Sequence, residues 1–401
     1  MSQKEIVSRI PTAAYVHIPF CRRRCFYCDF PVSVVGDRLR GETSGTICQY
    51  VEALCQEINM APDFSQPLET IFFGGGTPSL LSVEQLQRII ETLAGRLGIA
   101  TRVEISMEMD PGTFDLAHIA GYRSAGVNRV SLGVQAFQEE LLKLAGRSHS
   151  VTDILAAIDL IHQVEIPEFS LDLISGLPHQ SLGQWQDSLT KAVEIAPTHI
   201  SIYDLTIEPG TAFGRYFQAG DNPLPTDETT VKMYHKAQQL LTGAGYEHYE
   251  ISNYAQKGHQ CQHNRVYWQN RPYYGFGMGA ASYVQGKRFT RPRKTKEYYE
   301  WLQNGAVIAC EITPPEEELL ETLMLGLRLA EGLNLVTLTE KFGKEKVEDI
   351  HQCLRPYFAQ GWVKVVGGNL RLTDPNGFLF SNVVLAKLFE KLGDDINQFP
   401  V

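Results

Sequence analysis

From residue 13 to residue 204 the chain alternates short apolar runs with amphipathic stretches, and few folds satisfy that alternation. The runs cover residues 13–17, 70–73, 102–107, 129–133, 168–173 and 199–204. Each has the length of a buried strand, and most are rich in β-branched and aromatic residues. Between them, residues 82–97, 115–125, 150–164 and 182–194 repeat apolar side chains at helical spacing. Ser82 followed by Gln85 reads as a capping box that opens one of these helices. Strand, helix and parallel strand connect right-handedly. Six units in about 200 residues predict an α/β fold built on an open or partial (β/α)6 barrel rather than a closed eight-unit one. In such a barrel the chemistry gathers at the C-terminal strand ends.

The loop after the first run carries Cys21, Cys25 and Cys28, spaced C-x3-C-x2-C. Clustered thiolates are soft ligands and select iron–sulfur clusters, zinc or copper(I). Three thiolates leave a four-iron cluster one protein ligand short, so that one iron is open to an exogenous molecule. A structural zinc site is the alternative, but it is four-coordinate and usually draws on two Cys or His pairs. Cys48, Cys55, Cys261, Cys310 and Cys353 are all isolated. Scattered thiols in a chain of 401 residues also argue against a disulfide framework.

The net charge of −10 argues against a general nucleic-acid or anionic-membrane binder. One basic run, Lys287 to Lys296, reads as a solvated loop. No stretch is apolar enough to span a bilayer, and the first residues have no secretory h-region. Reduced thiols then point to the cytoplasm.

The cysteine trio, with Tyr27 before the third cysteine, resembles the radical S-adenosylmethionine (SAM) superfamily. His17-Ile-Pro-Phe-Cys21 and Tyr27-Cys28-Asp29-Phe30 are similar to its coproporphyrinogen dehydrogenase-like branch. The resemblance implies that Cys21, Cys25 and Cys28 hold a [4Fe-4S] cluster whose open iron is chelated by SAM. One electron then splits SAM into methionine and a 5′-deoxyadenosyl radical. Gly74-Gly75-Gly76-Thr77-Pro78 lets backbone approach a ligand and lacks the P-loop and dinucleotide spacings; alone it is a tight turn, and in this branch it binds the SAM amino group. Glu108, Gln135, Arg147 and Asp172 read alone as a polar network at a barrel rim. The resemblance places them, with Tyr15, Gly75, Gly76 and Thr77, at SAM-contacting positions, and adds Thr206 less securely. Gly146-Arg-Ser-His149, Asp172-Leu-Ile-Ser-Gly-Leu-Pro178 and Glu250-Ile-Ser-Asn-Tyr254 extend the likeness over residues 13–385.

His263-Asn264-Arg265-Val266-Tyr267-Trp268 places a histidine beside two large aromatics. Such a histidine is commonly an ordinary loop residue near core rings, and it is also able to ligate heme iron. The stretch resembles the HNxxYW signature of the heme-binding members of the branch, which implies heme contact at His263; Cys261 and His259 are other possible ligands. Two departures separate the chain from the oxygen-independent dehydrogenase itself. Phe30 stands where that enzyme has a further cysteine, and only 20 residues precede Cys21. Both fit the heme-chaperone group, which implies heme as ligand, an acceptor protein such as a respiratory cytochrome, and a homodimer promoted by the cluster. The alternative is oxidative decarboxylation of coproporphyrinogen III.

From about Glu316 the pattern changes. Residues 316–330, 337–342 and 344–360 read as helices, and residues 362–366 and 370–372 as a hairpin turned at Gly367-Gly368-Asn369. That order is winged-helix-like, but the third helix and hairpin carry few basic residues, so a packing or lid role is expected over DNA binding. The reading is thus a barrel over residues 1–205, an extension with the HNRVYW motif over 206–312, and a winged-helix-like domain over 313–401.

Overall fold

The structure, a computed structural model, describes residues 10–37, 40–218 and 220–393. Six strands form the parallel centre of one sheet: β1 (Ala13–Ile18), β2 (Leu68–Gly75), β3 (Ile99–Met109), β4 (Arg129–Gln135), β5 (Glu168–Ser175) and β6 (His199–Asp204). Three more come from the region after them: β7 (Glu247–Glu250), β8 (Asn253–Ala255) and β9 (Tyr274–Phe276). The sheet runs β9-β1-β2-β3-β4-β5-β6-β8-β7, with β9 parallel to β1 and β8 antiparallel to both β6 and β7. It is the open partial barrel expected from the strand–helix alternation, widened at both edges.

Helices α1 (Gly45–Met60), α2 (Val83–Leu97), α3 (Leu116–Ser124), α4 (Val151–Gln163) and α5 (Leu182–Ile195) link the parallel strands. The Ser82–Gln85 capping box is present, and Ser150–Asp153 and Ser181–Gln184 repeat it on α4 and α5. Each box satisfies orphan amides at a helix start.

The alternation of side chains along each strand decides what the barrel contains. Val16, Ile71, Phe73, Met107, Leu132, Leu171 and Ile200 face the helices and form the main core. Most of their inward-facing neighbours are polar: Ser106, Glu108, Ser131, Ser170, Asp172, Ser201 and Tyr203 line the internal cavities, with Phe72 as an apolar exception. A barrel core is ordinarily filled by branched apolar side chains. A polar lumen leaves room and hydrogen-bonding groups for a ligand.

The C-terminal unit has its own apolar cluster, around Leu323, Ile350, Leu354 and Leu370. Its helices span Pro315–Gly326, Leu335–Phe342 and Lys344–Ala359, followed by strands Val363–Val366 and Asn369–Leu372. Gly367 and Gly368, at φ 61° and 81°, make the turn, and Asn369 already pairs with Val366. A further helix, Ser381–Leu392, was not anticipated.

The basic run is solvated only in part: Arg293, Lys294 and Lys296 are exposed, but two of its arginines are not free. Arg291 is buried against Glu57, and Arg288 makes two 2.9 Å bonds to Glu321 of the C-terminal unit. No helix among the described residues is long and apolar enough to cross a membrane.

Candidate functional site

At the C-terminal ends of the parallel strands lies a cavity of about 440 Å³. Cys21, Cys25 and Cys28 line it together, on the loop that follows β1. That loop is pinned by bonds from the Phe26 amide to Ala145 O (3.0 Å) and from Arg24 to the carbonyls of Cys28 (3.2 Å) and Phe30 (3.0 Å). Burial pushes the Cys21 thiol up to about 12, and burial also raises that of Cys28. A soft cation that exchanges with the proton would hold these groups as thiolates. Among the described residues no three His, Cys, Asp or Glu side chains converge as a single metal ion requires. Three soft donors set around one cavity suit a polynuclear iron–sulfur group better than one tetrahedral zinc.

The glycine segment closes one wall. Gly75 has φ +109°, and a Cβ there would lie 2.4 Å from the His17 ring. A Cβ on Gly76 would lie 2.7 Å from Phe20 O. Both glycines are therefore required by close approach. The Gly75 amide donates to Glu108 Oε2 (2.9 Å), and Thr77 Oγ1 donates to an Asp110 carboxylate oxygen (3.2 Å).

Arg147 is the central cation. Its Nη2 donates to Asp110 and to Gly133 O (3.0 Å), and its Nη1 to Cys25 Sγ (3.2 Å) and Tyr27 Oη (3.4 Å). Its Nε is buried without a protein acceptor. Burial lifts the Glu108 carboxyl to about 8, against the Gly75 hydrogen bond. Burial also lifts Asp172 to about 6, although Ser131 donates to both its oxygens at 2.9 and 2.8 Å. Gln135, at φ 67°, and Thr206 complete the lining.

Of the residues singled out from sequence, Cys21, Cys25, Cys28, Gly75, Gly76, Thr77, Glu108, Gln135, Arg147, Asp172 and Thr206 meet at this cavity. Tyr15 does not. It lines a deeper cavity of about 210 Å³, which shares Gly75, Glu108, Ser131 and Tyr203 with the larger one, and its hydroxyl is 2.9 Å from His17 Nδ1. Asp110 was passed over as a site residue, yet it holds both Thr77 and Arg147. Its place two residues beyond Glu108 on one strand face was the available signal.

His263 is placed otherwise than expected for a heme ligand. It is fully buried, with Nδ1 2.8 Å from Thr70 Oγ1 and Nε2 2.9 Å from Tyr267 Oη. Its ring stacks on Phe72 at 5.2 Å, and burial lowers its pKa to about 3. Neither ring nitrogen is open to an iron. Glu104 of β3 caps the start of the motif helix, accepting from the amides of Gln262 and His263 at 2.9 Å each. Cys261 is buried beside the same carboxylate, and His259 Nδ1 lies 2.8 Å from Glu168. Asn264 and Tyr267 line the deeper cavity, whereas Trp268 lines a third one.

Comparison with known proteins agrees with this architecture. Residues 15–192 match the Radical SAM superfamily, and residues 313–380 match the HemN C-terminal domain. The chain is 47% identical to the heme chaperone HemW of Synechocystis sp., over 96% of this chain and 98% of that one. It is 37% identical to the heme chaperone HemW of Escherichia coli, over 94% and 97%. The solved structure of the radical SAM enzyme coproporphyrinogen III oxidase (HemN) from Escherichia coli superposes with a TM-score of 0.81 at 22% identity, covering 97% of this chain and 93% of that one.

Proposed function

Because this chain belongs to the HemW family within the radical SAM superfamily, we propose that it is a heme chaperone, binding heme and passing it to an acceptor protein. The observation that carries this reading is nearly full-length identity to relatives described as heme chaperones. Cys21, Cys25 and Cys28 would hold a [4Fe-4S] cluster, and the wall formed by Gly75, Gly76, Thr77, Glu108, Gln135, Arg147 and Asp172 would hold SAM. A cluster held there would supply an electron for SAM cleavage. The protein's own part is electrostatic. Arg147 sets a fixed positive charge beside Cys25 and Asp110. Burial lifts the Glu108 carboxyl to about 8, and Oε2 accepts from the Gly75 amide. A cationic ligand group in the cavity would lower it.

The test is anaerobic. Cluster-reconstituted protein is titrated with heme and, separately, incubated with reductant, SAM and coproporphyrinogen III. Saturable heme binding without decarboxylated product is expected. Repeated decarboxylation that disappears in Cys25→Ser would replace the chaperone reading with that of an enzyme.

A further inference from the structure

Two of the sequence motifs meet away from the cysteine cavity. Trp268 ends the HNRVYW helix, Gln262–Trp268, and its indole lies beside Glu250. Glu250 opens the Glu250–Tyr254 motif and is fully buried. Trp268, Ile251, Ser252 and Tyr254 then line a third cavity, of about 350 Å³, between the β6–β8 edge of the sheet and the C-terminal unit. The wall opposite comes from Arg328, Phe378 and Asn382, and helix Asp227–Gly243 adds Tyr234. Backbone bonds from Ile251 N to Arg328 O and from Ala330 N to Tyr249 O, both 3.0 Å, hold the two sides together.

This cavity holds two buried polar groups without a partner, and both can donate. Arg328 spends Nη2 on Asn382 Oδ1 (3.2 Å), but its Nε is buried with no acceptor. The Tyr234 hydroxyl is likewise buried and unpaired. A buried donor with no acceptor is costly, and native structures meet such donors with a ligand, an ion or water. Arg328 is the one cation lining the cavity, and Asp204 the one carboxylate. Asp204 already accepts from Ser175, and burial pushes its pKa up. Glu250 and Asp374 lie nearby, but Glu250 is occupied by the Ser252 amide and Asn253, and Asp374 by His248. The free hydrogen-bonding capacity therefore asks for an acceptor, and the guanidinium asks for a negative one. The remaining surface is aromatic, from Tyr254, Trp268 and Phe378.

We propose that this cavity receives the carboxylate-bearing edge of a planar tetrapyrrole, with Arg328 pairing the carboxylate and Tyr234 donating a second hydrogen bond. The proposal rests on the heme-chaperone reading and deepens it. Tyr203, Asp204 and Thr206 line both this cavity and the cysteine cavity. The two spaces are therefore neighbours, separated by these residues. Arg328 is a positioning residue for the ligand's orientation, and Trp268 gives the HNRVYW motif a contact with heme that does not pass through His263.

The test compares iron protoporphyrin IX with its dimethyl ester, which lacks free carboxylates, in absorbance titrations of the cluster-reconstituted protein. Arg328→Gln should weaken binding of the free acid by about tenfold or more, the scale of a lost charge-assisted hydrogen bond. The ester should bind wild type and Arg328→Gln alike. Tyr234→Phe removes only an unpaired hydroxyl, so folding is spared, and it should weaken the free acid by about two- to tenfold. Free acid binding as tightly to both variants as to wild type overturns the proposal. So does an equal loss for acid and ester, which would mark Arg328 as merely structural. A wild type that binds neither compound removes the heme reading, and this inference with it.

Discussion

Thr70 and Tyr267 between them occupy both ring nitrogens of His263, inside a core that holds the imidazole neutral. Its folded-state pKa of about 3 lies below the unfolded value of about 6.5. The unfolded chain therefore binds the proton first, and the histidine's contribution is complete above about pH 6.5. It is lost as pH falls through that window toward 3. A urea-unfolding series between pH 7 and 4 should show this slope in wild type and a shallower one in His263→Gln. His263→Ala should cost about 2–4 kcal/mol, since it opens a cavity and strands two buried hydroxyls. The visible spectrum of bound heme should be unchanged in the fraction that folds. Loss of an axial-ligand signature in folded His263→Ala protein would contradict this placement. The spacing of HNRVYW was legible in sequence, and so was the company of aromatics. The partner Thr70 stands 193 positions away, and no local pattern tells which way the ring points. The cysteines were legible because all three sit within eight residues on one loop.

At the scale of elements, local signals succeeded where an element is long enough to carry a period. Strands β1 to β6 and the Ser82 cap fall where periodicity and capping chemistry put them. Strand β9, Tyr274–Phe276, has three residues including a glycine, too few to show alternation, and it forms only because β1 offers an edge. The glycines after β2 illustrate how such an element shapes the cavity. Gly75→Ala would force a left-handed residue and a contact 2.4 Å from His17. It should destabilise the protein by about 1–3 kcal/mol, and iron retained after reconstitution should fall with it. Gly95, inside α2, has nothing within 4 Å of an added Cβ. Gly95→Ala should instead stabilise by about 0.5–1 kcal/mol with iron content unchanged. Melting temperatures and iron analysis of the two variants separate these outcomes.

At the scale of the whole molecule, the segments outside the six-strand barrel are tied to it by buried charge. Glu57 on α1 accepts from Arg291 Nε (2.7 Å), the Gly277 amide (2.8 Å) and Tyr298 Oη (2.6 Å). Arg291 also donates to Ser282 and lies 4.9 Å from the Phe289 ring centroid. One carboxylate thus joins a barrel helix to the residue after β9, to Arg291 just beyond the strand Lys287–Thr290, and to helix Thr295–Gln303. The pair is 234 residues apart in sequence, which is why the basic run looked solvated. Breaking such a pair strands a buried charge, whereas replacing both members with apolar groups removes the desolvation cost along with the attraction. Arg291→Met should therefore destabilise by about 3–5 kcal/mol. The double variant Glu57→Leu/Arg291→Met should recover much of that loss, although the Gly277 amide and the Tyr298 hydroxyl then lack their acceptor. Urea midpoints of wild type, both single variants and the double variant form the cycle. If the double variant is no more stable than Arg291→Met, the ion pair is not what couples these segments. Recovery would identify the Glu57 carboxylate, left unpaired, as the source of the damage in Arg291→Met.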